Sequence, residues 1–200
     1  MRGCPPLSHD EREQIFAYLT SQGDERMLCM ISIGLCTGFR ISELCGLKVK
    51  DVYANGSVLK AAHARKVTTK GKRSGRVNYL SSKCKSLIDS YIRNVLKIRA
   101  DYNSELPLFP STKGIISYGI AQHLTSRHAW RLMQTAFFSA KLEFNGTHTL
   151  RKTIANDIYV ETKDILEVKS RLGHISLNST ASYLESISSD KGDKVVDKVF

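Results

Sequence analysis

The sequence predicts a mainly α protein with a small three-stranded antiparallel β-sheet inserted near its start, an α+β class. Two observations carry this. Apolar residues recur at helical spacing over residues 9–36 and again from about residue 82 onward. Between Lys48 and Leu80 the pattern changes to three short apolar runs, KVKDVY, VLKAAHARKV and RVNYL, parted by Asn55-Gly56 and by a polar loop with Lys70, Lys72 and Arg73. A chain of 200 residues with 42% hydrophobic content is long enough to bury one large core. With only 4 Pro and 13 Gly it shows no interdomain linker, so a single domain over 1–200 is expected.

The elements follow in order. Ser8 and Glu11 in LSHDE form a capping box for a helix over about 9–22, with Ile15, Phe16 and Leu19 on one face. After Gly23-Asp24 a second, strongly apolar helix runs from about 25 to 36 and stops at Thr37-Gly38. RISELCGL then reads as a short helix opened by Arg40. The Asn-Gly turn and the basic loop separate the three expected strands. Helix resumes near Ser82 with Leu87, Ile88, Tyr91, Ile92 and Val95 in register, and Arg99 to Ser117, with its two prolines, reads as connecting loop. Helices are expected over about 118–142, 148–160, 163–172 and 178–188, with a short amphipathic tail helix near 191–199.

Thirty Lys and Arg against nineteen Asp and Glu leave a net charge of +11, which favours a polyanionic partner, nucleic acid before membrane. The longest apolar run, Met27 to Cys36, is about half what a bilayer-spanning helix needs, and the N-terminus lacks the apolar core of a secretory signal. A cytoplasmic location follows. The five cysteines, Cys4, Cys29, Cys36, Cys45 and Cys84, include no CxxC and are expected as reduced, mostly buried thiols.

Four stretches hold polar residues that a purely structural sequence would not need. Arg40 in TGFRISEL follows a Gly-containing turn, where a planar guanidinium can grip two oxygens of one phosphate; a solvated surface arginine has the same signature. In NGTHTLRKT, Thr147 is a plausible N-cap, which sets His148 and Arg151 three apart on the first turn, an anion site reinforced by backbone N–H groups. The alternative is a capping turn with a solvated arginine. In RLGHIS, Gly173 ends a helix and His174 occupies the corner. Tyr183 follows, and a lone tyrosine in a helical segment is most often a buried aromatic with its hydroxyl bonded nearby.

Together, R-I-S-E-L, then H-x-x-R, then L-G-H 23 residues after that arginine, then Tyr nine residues further on, resemble the tyrosine recombinase or phage integrase family. The resemblance covers about Leu7 to Leu184 and implies the DNA breaking-rejoining fold of that family's catalytic core. It implies that Arg40, His148, Arg151 and His174 surround a scissile DNA phosphate and that Tyr183 attacks it, leaving a 3′-phosphotyrosyl link and a free 5′ hydroxyl. It also implies a lysine on the turn after the second strand that protonates the leaving oxygen. Lys66, at the strand's end, is favoured here over Lys70 on the loop. The short length and the HARK spelling resemble recombinases that invert the promoter segment of fimbrial operons.

The residue types suit the reaction. A phosphoryl transition state gathers negative charge on its non-bridging oxygens, and arginines and histidines can stabilise it. No DxD, HExxH or Cys/His ligand set is present, so neither metal nor cofactor is expected. Tyrosine, with a pKa near 10, needs a base; His148 is the favoured one, with His174 binding the phosphate, though the opposite assignment also fits. Lys48, Lys50, Lys70, Lys72, Arg73, Arg76, Arg127, Arg131 and Lys152 are expected on phosphates along the duplex, while Trp130 and Met133 fit either a DNA-facing helix or the core.

The expected function is site-specific recombination of double-stranded DNA by integration, excision or inversion. The expected assembly is a homotetramer on two DNA sites, helped by accessory DNA-bending proteins and by an oligomerising tail at about 188–200. The expected location in the cell is the nucleoid. The chain starts almost at the catalytic domain, so no N-terminal core-binding domain is expected in it, whether it is a natural short form, the favoured reading, or a fragment of a longer protein. A type IB topoisomerase-like nicking-closing enzyme and a non-catalytic DNA-binding regulator are the alternatives.

Overall fold

Ser8 opens the first helix as the sequence requires: its side chain accepts from the Glu11 backbone N–H at 3.2 Å while the Glu11 carboxylate accepts from the Ser8 N–H at 2.7 Å. The computed structural model describes residues 5–65, 75–97, 105–111, 122–144, 146–174, 176–181 and 184. Cys4, Lys66, Lys70, Lys72, Arg73, Tyr183 and the expected tail helix lie outside the described residues.

Helix α1 covers His9–Ser21 and α2 covers Glu25–Thr37. Nearly all of α2 is buried, because ERMLCMISIGLCT is apolar around its whole circumference, and α1, α4 (Ser82–Ser90) and α6 (Thr149–Thr162) pack against it. Each such fully buried Ile or Leu contributes roughly 1.5–3 kcal/mol, which makes α2 the spine of the fold. Gly38 ends α2 in the left-handed region at φ 64°, and a side chain there would press on Leu172 and Ile154 at 3.0 and 3.1 Å. The short α3 (Ile41–Cys45) follows at once. Cys29, Cys45 and Cys84 are buried and Cys36 is half-buried, all as free thiols.

Among the described residues, the expected three-stranded sheet is four short strands in two ladders. Strands β1 (Tyr53–Ala54) and β2 (Ser57–Val58) form a hairpin around Asn55-Gly56, and β3 (Ala61–Ala64) pairs antiparallel with β4 (Arg76–Tyr79). The run read as one middle strand changes partner at Leu59-Lys60: the Leu59 N–H still reaches Val52 O, while Lys60 O already accepts from Leu80 N–H.

After α4 the chain widens into a π-helical turn over Tyr91–Leu96, closed by Lys97 in the left-handed region. Residues 105–111 are bonded to Leu47 and Val49 on one side and to Gln122 and Leu124 on the other. That pairing is why α5 starts at Ser126, capped by Thr125, rather than near 118 as periodicity alone suggested, and it ends at Ser139. On α5 Met133 is core while Trp130 faces outward. Helix α7 covers Ile165–Leu172, capped by Asp164, and residues 177–181 form a further helical turn.

The main core runs from Leu7 to Leu150, and a small second cluster of Ala155, Val168 and Leu172 joins α6 to α7. The N-terminal segment is stitched to α6 by the Leu7 N–H on Thr153 Oγ1 at 2.9 Å, and α1 by Arg12 on Asp157 at 2.6 Å. These contacts fix the start of α6, which carries two of the expected site residues. No helix among the described residues is long and apolar enough to cross a membrane.

Candidate active site

Two helix C-termini meet here. The last carbonyls of α2 and of α7 carry the negative ends of their dipoles, and each has orphan acceptors to satisfy. Arginines and an asparagine supply the donors. Arg151, only 1% exposed, donates from Nη1 to Gly38 O and from Nη2 to Leu172 O at 2.6 Å, so one guanidinium spans both helix ends. Arg171 donates to Cys36 O at 2.5 Å, and the Asn78 amide donates to Thr37 O at 2.5 Å and to Arg171 O at 2.9 Å. Arg76 reaches the same corner from β4, donating to Leu172 O and, at 3.4 Å, to Arg171 O.

Arg40 lies beside this cluster. It is the N-cap residue of α3, and its backbone N–H donates to Glu43 Oε2 at 2.7 Å while its Nη1 lies 3.3 Å from Glu43 Oε1. The Glu43 carboxylate is fully buried and also receives the Arg76 guanidinium, so a single carboxylate joins two arginines. Arg76 further lies over the Phe39 ring at 5.1 Å. Burial depresses the Arg76 pKa, against the support of Glu43, with Arg40 adding a like-charge push.

His148 is the N-cap residue of α6, exposed and without a capping bond from its side chain, so Thr147 is one residue outside the cap position expected for it. The backbone decides this: Thr149 N–H bonds Gly146 O and Lys152 N–H bonds His148 O, which starts the helix at Thr149. His174 follows the C-cap Gly173, which is left-handed at φ 61°. Its backbone N–H donates to Lys169 O at 3.1 Å, and its Nδ1 pairs with the hydroxyl of the buried Thr180 at 2.9 Å.

Burial brings the His174 pKa down to about 4, and the positive charges of Arg151, Arg40, Arg76 and His148 push the same way. Arg40, His148, Arg151 and His174 thus share one electrostatic neighbourhood. Lys66 and Tyr183 lie outside the described residues. The depressed pKa has a stability consequence. An unfolded histidine binds its proton near 6.5, so the folded state has the His174 contribution in full above that pH and loses it as pH falls towards 4. His174→Asn is expected to flatten the fall in urea midpoint between pH 6.5 and 4 relative to the parent protein.

Several expected duplex contacts are placed differently. Arg76 is turned inward, and Lys152 is 8% exposed, because the first turns of α6 are buried on all sides. Lys48 and Lys50 flank the Glu105 carboxylate, Lys48 at 2.5 Å, and they hold it down to about 2. Arg127 and Arg131 are exposed on α5. Glu43 and Arg76 as members of the cluster were missed. Glu43 could have been found at its three-residue spacing from Arg40. Arg76 could not, because the alternation in RVNYL favours Val77 and Tyr79 as the buried face.

Comparison with known proteins shows what the chain as a whole is similar to. The chain is 31% identical over 163 residues to the tyrosine recombinase XerC of Thermodesulfovibrio yellowstonii, covering 80% of this chain and 50% of that protein. It is 28% identical over 180 residues to the probable integrase/recombinase YoeC of Bacillus subtilis, covering 90% and 88%. The chain spans about half the length of XerC and most of YoeC. Among solved structures, the pre-cleavage complex of XerH site-specific recombinase bound to difH substrate superposes with a TM-score of 0.67 at 26% identity, covering 90% of this chain and 51% of that one. The profile of the phage integrase family matches residues 6–189, a span that holds both arginine elements and the Gly-His corner, and the chain belongs to that family.

Proposed function

We propose that this chain is the catalytic domain of a site-specific DNA recombinase that cleaves and rejoins DNA strands through a 3′-phosphotyrosyl intermediate. The single observation that carries the reading is the positive cluster of Arg40, Arg151, His148 and His174 where two helix ends meet, with the Glu43 carboxylate beside it held by Arg40 and Arg76. Such a cluster suits a phosphodiester whose non-bridging oxygens gain charge in the transition state. Membership of the phage integrase family and the likeness to recombinases support the same chemistry.

In this reading Arg40 and Arg151 grip the non-bridging oxygens. His174, held neutral at physiological pH with Nδ1 engaged by Thr180, suits a hydrogen-bond donor to the phosphate better than a base. His148, exposed at the start of α6, takes the proton of Tyr183 as the hydroxyl attacks phosphorus. The P–O5′ bond breaks and Lys66 protonates the leaving oxygen. The ester keeps the bond energy, so a 5′ hydroxyl of a second strand can reverse the step without ATP. Residues 1–200 act as one domain in this proposal, on double-stranded DNA, as a homotetramer across two sites in the cytoplasm.

The test is a suicide DNA substrate with a nick beside the cleavage point, incubated with the protein and run under denaturing conditions. A covalent protein–DNA band is expected. Its absence on every cognate site, with binding intact, would favour a regulator that keeps the fold without the chemistry.

A further inference from the structure

We propose that Arg76 is a positioning residue for strand cleavage: its guanidinium, joined to Glu43 and to the Leu172 carbonyl, holds Arg40 on one side and the Arg151–His174 corner on the other. This rests on the recombinase reading above.

The bonds form a continuous chain. Arg40 meets one oxygen of Glu43, Arg76 meets the other, Arg76 also meets Leu172 O, and Leu172 O takes the Arg151 Nη2 at 2.6 Å. Every link is buried or half-buried, where a displaced guanidinium cannot be replaced by water without cost. Gly173 makes the approach possible: a Cβ there would run into the Arg76 side chain, with Nε and Nη1 both at 3.1 Å. The glycine of the Gly-His corner therefore serves two ends, the left-handed backbone and the space for Arg76.

The strand is built for the same purpose. On β4 the polar Arg76 and Asn78 point inward while Val77 and Tyr79 are 61% and 57% exposed. Opposite Arg76 and Asn78 on β3 are Ala64 and Ala62, whose small side chains leave room for the inward polar pair. An ordinary half-buried strand would turn Val77 and Tyr79 inward. Here both inward polar side chains end on the last carbonyls of α2 and α7, which no apolar residue could satisfy.

Two variants separate charge from fork geometry. Arg76→Lys keeps the charge, but a single ammonium cannot span Glu43 and Leu172 O as the fork does. Arg76→Gln removes the charge. Adduct formation on the suicide substrate is measured in single turnover at a temperature where circular dichroism shows each variant folded, alongside DNA affinity and the NMR titration of His174, which faces Arg40, Arg76, Arg151, His148 and Thr180.

Both variants are expected to slow adduct formation by on the order of 10²-fold, the effect of a misplacement of about 1 Å, with DNA affinity changed little. In Arg76→Gln the His174 titration is expected to move up slightly from about 4, because burial, Arg151 and Arg40 depress it more than Arg76 does, while Arg76→Lys keeps it low. Cleavage by folded Arg76→Lys at the parent rate would overturn the positioning role alone. No adduct from the parent protein would overturn the recombinase reading and this inference with it. If Arg76→Lys does not fold, cleavage by folded Arg76→Gln at the parent rate would overturn the positioning role instead.

Discussion

Tyr183→Phe is expected to form no denaturation-resistant complex with DNA, while the parent protein forms one on the same suicide substrate. The change removes a single oxygen, and that oxygen is the nucleophile of the proposed reaction. Phenylalanine offers no atom that can bond to phosphorus, so the loss is complete rather than graded. Binding should survive, because affinity for duplex DNA comes mainly from phosphate contacts by lysines and arginines. The check is a pair of measurements on one preparation: a denaturing gel for the adduct, and a salt-dependent binding titration. A covalent band from Tyr183→Phe would move the nucleophile to another residue.

The second large effect is at Arg151. Arg151→Lys is expected to lose both cleavage and stability, a combination that the exposed arginines of α5 should not show. The guanidinium is 1% exposed and donates to Gly38 O and Leu172 O at once. A lysine can reach only one of these carbonyls; Leu172 O keeps its donor from Arg76, whereas Gly38 O left without one costs about 1–3 kcal/mol. A urea titration should show a loss of that size. Loss of one preorganised donor to the phosphate should cost on the order of 10²–10³ in the rate of adduct formation. A variant that is destabilised but cleaves at the parent rate would make Arg151 a structural strut only.

The two changes differ for a physical reason. The Tyr183 role is proposed from chemistry and from spacing to His174, whereas Arg151 is proposed to serve catalysis with a guanidinium whose bonds to Gly38 O and Leu172 O also hold the fold. The same guanidinium that ties α2 to α7 is the one proposed to meet the phosphate. In the proposed function, a change at Arg151 is therefore expected to affect cleavage and stability together.

How much was legible in the sequence depended on whether a signal was local. The capping box of Ser8 and Glu11, the glycine stops at Gly38 and Gly173, and the apolar run of α2 are local, and the structure follows them closely. The motif spacing singled out Arg40, His148, Arg151 and His174, and those four side chains share one neighbourhood. The start of α5 was misjudged by several residues because residues 122–124 bond to 109–111, a pairing that sequence periodicity does not contain. The sheet was misjudged in strand count for a similar reason, the change of partner at Leu59-Lys60.

The sequence by itself determined the helical framework, the family and the identity of the candidate catalytic side chains. Only the tertiary structure decided what those side chains bond to. Arg76 is the clearest case. As a residue in a basic chain of net charge +11 it looked like one more phosphate contact. Folding turned it inward, where the last carbonyls of α7 and the buried Glu43 carboxylate accept from its guanidinium alongside Arg151 and Arg40. Hydrogen-bond demand at a helix end is set by which elements meet there, and that is a property of the fold rather than of any stretch of sequence.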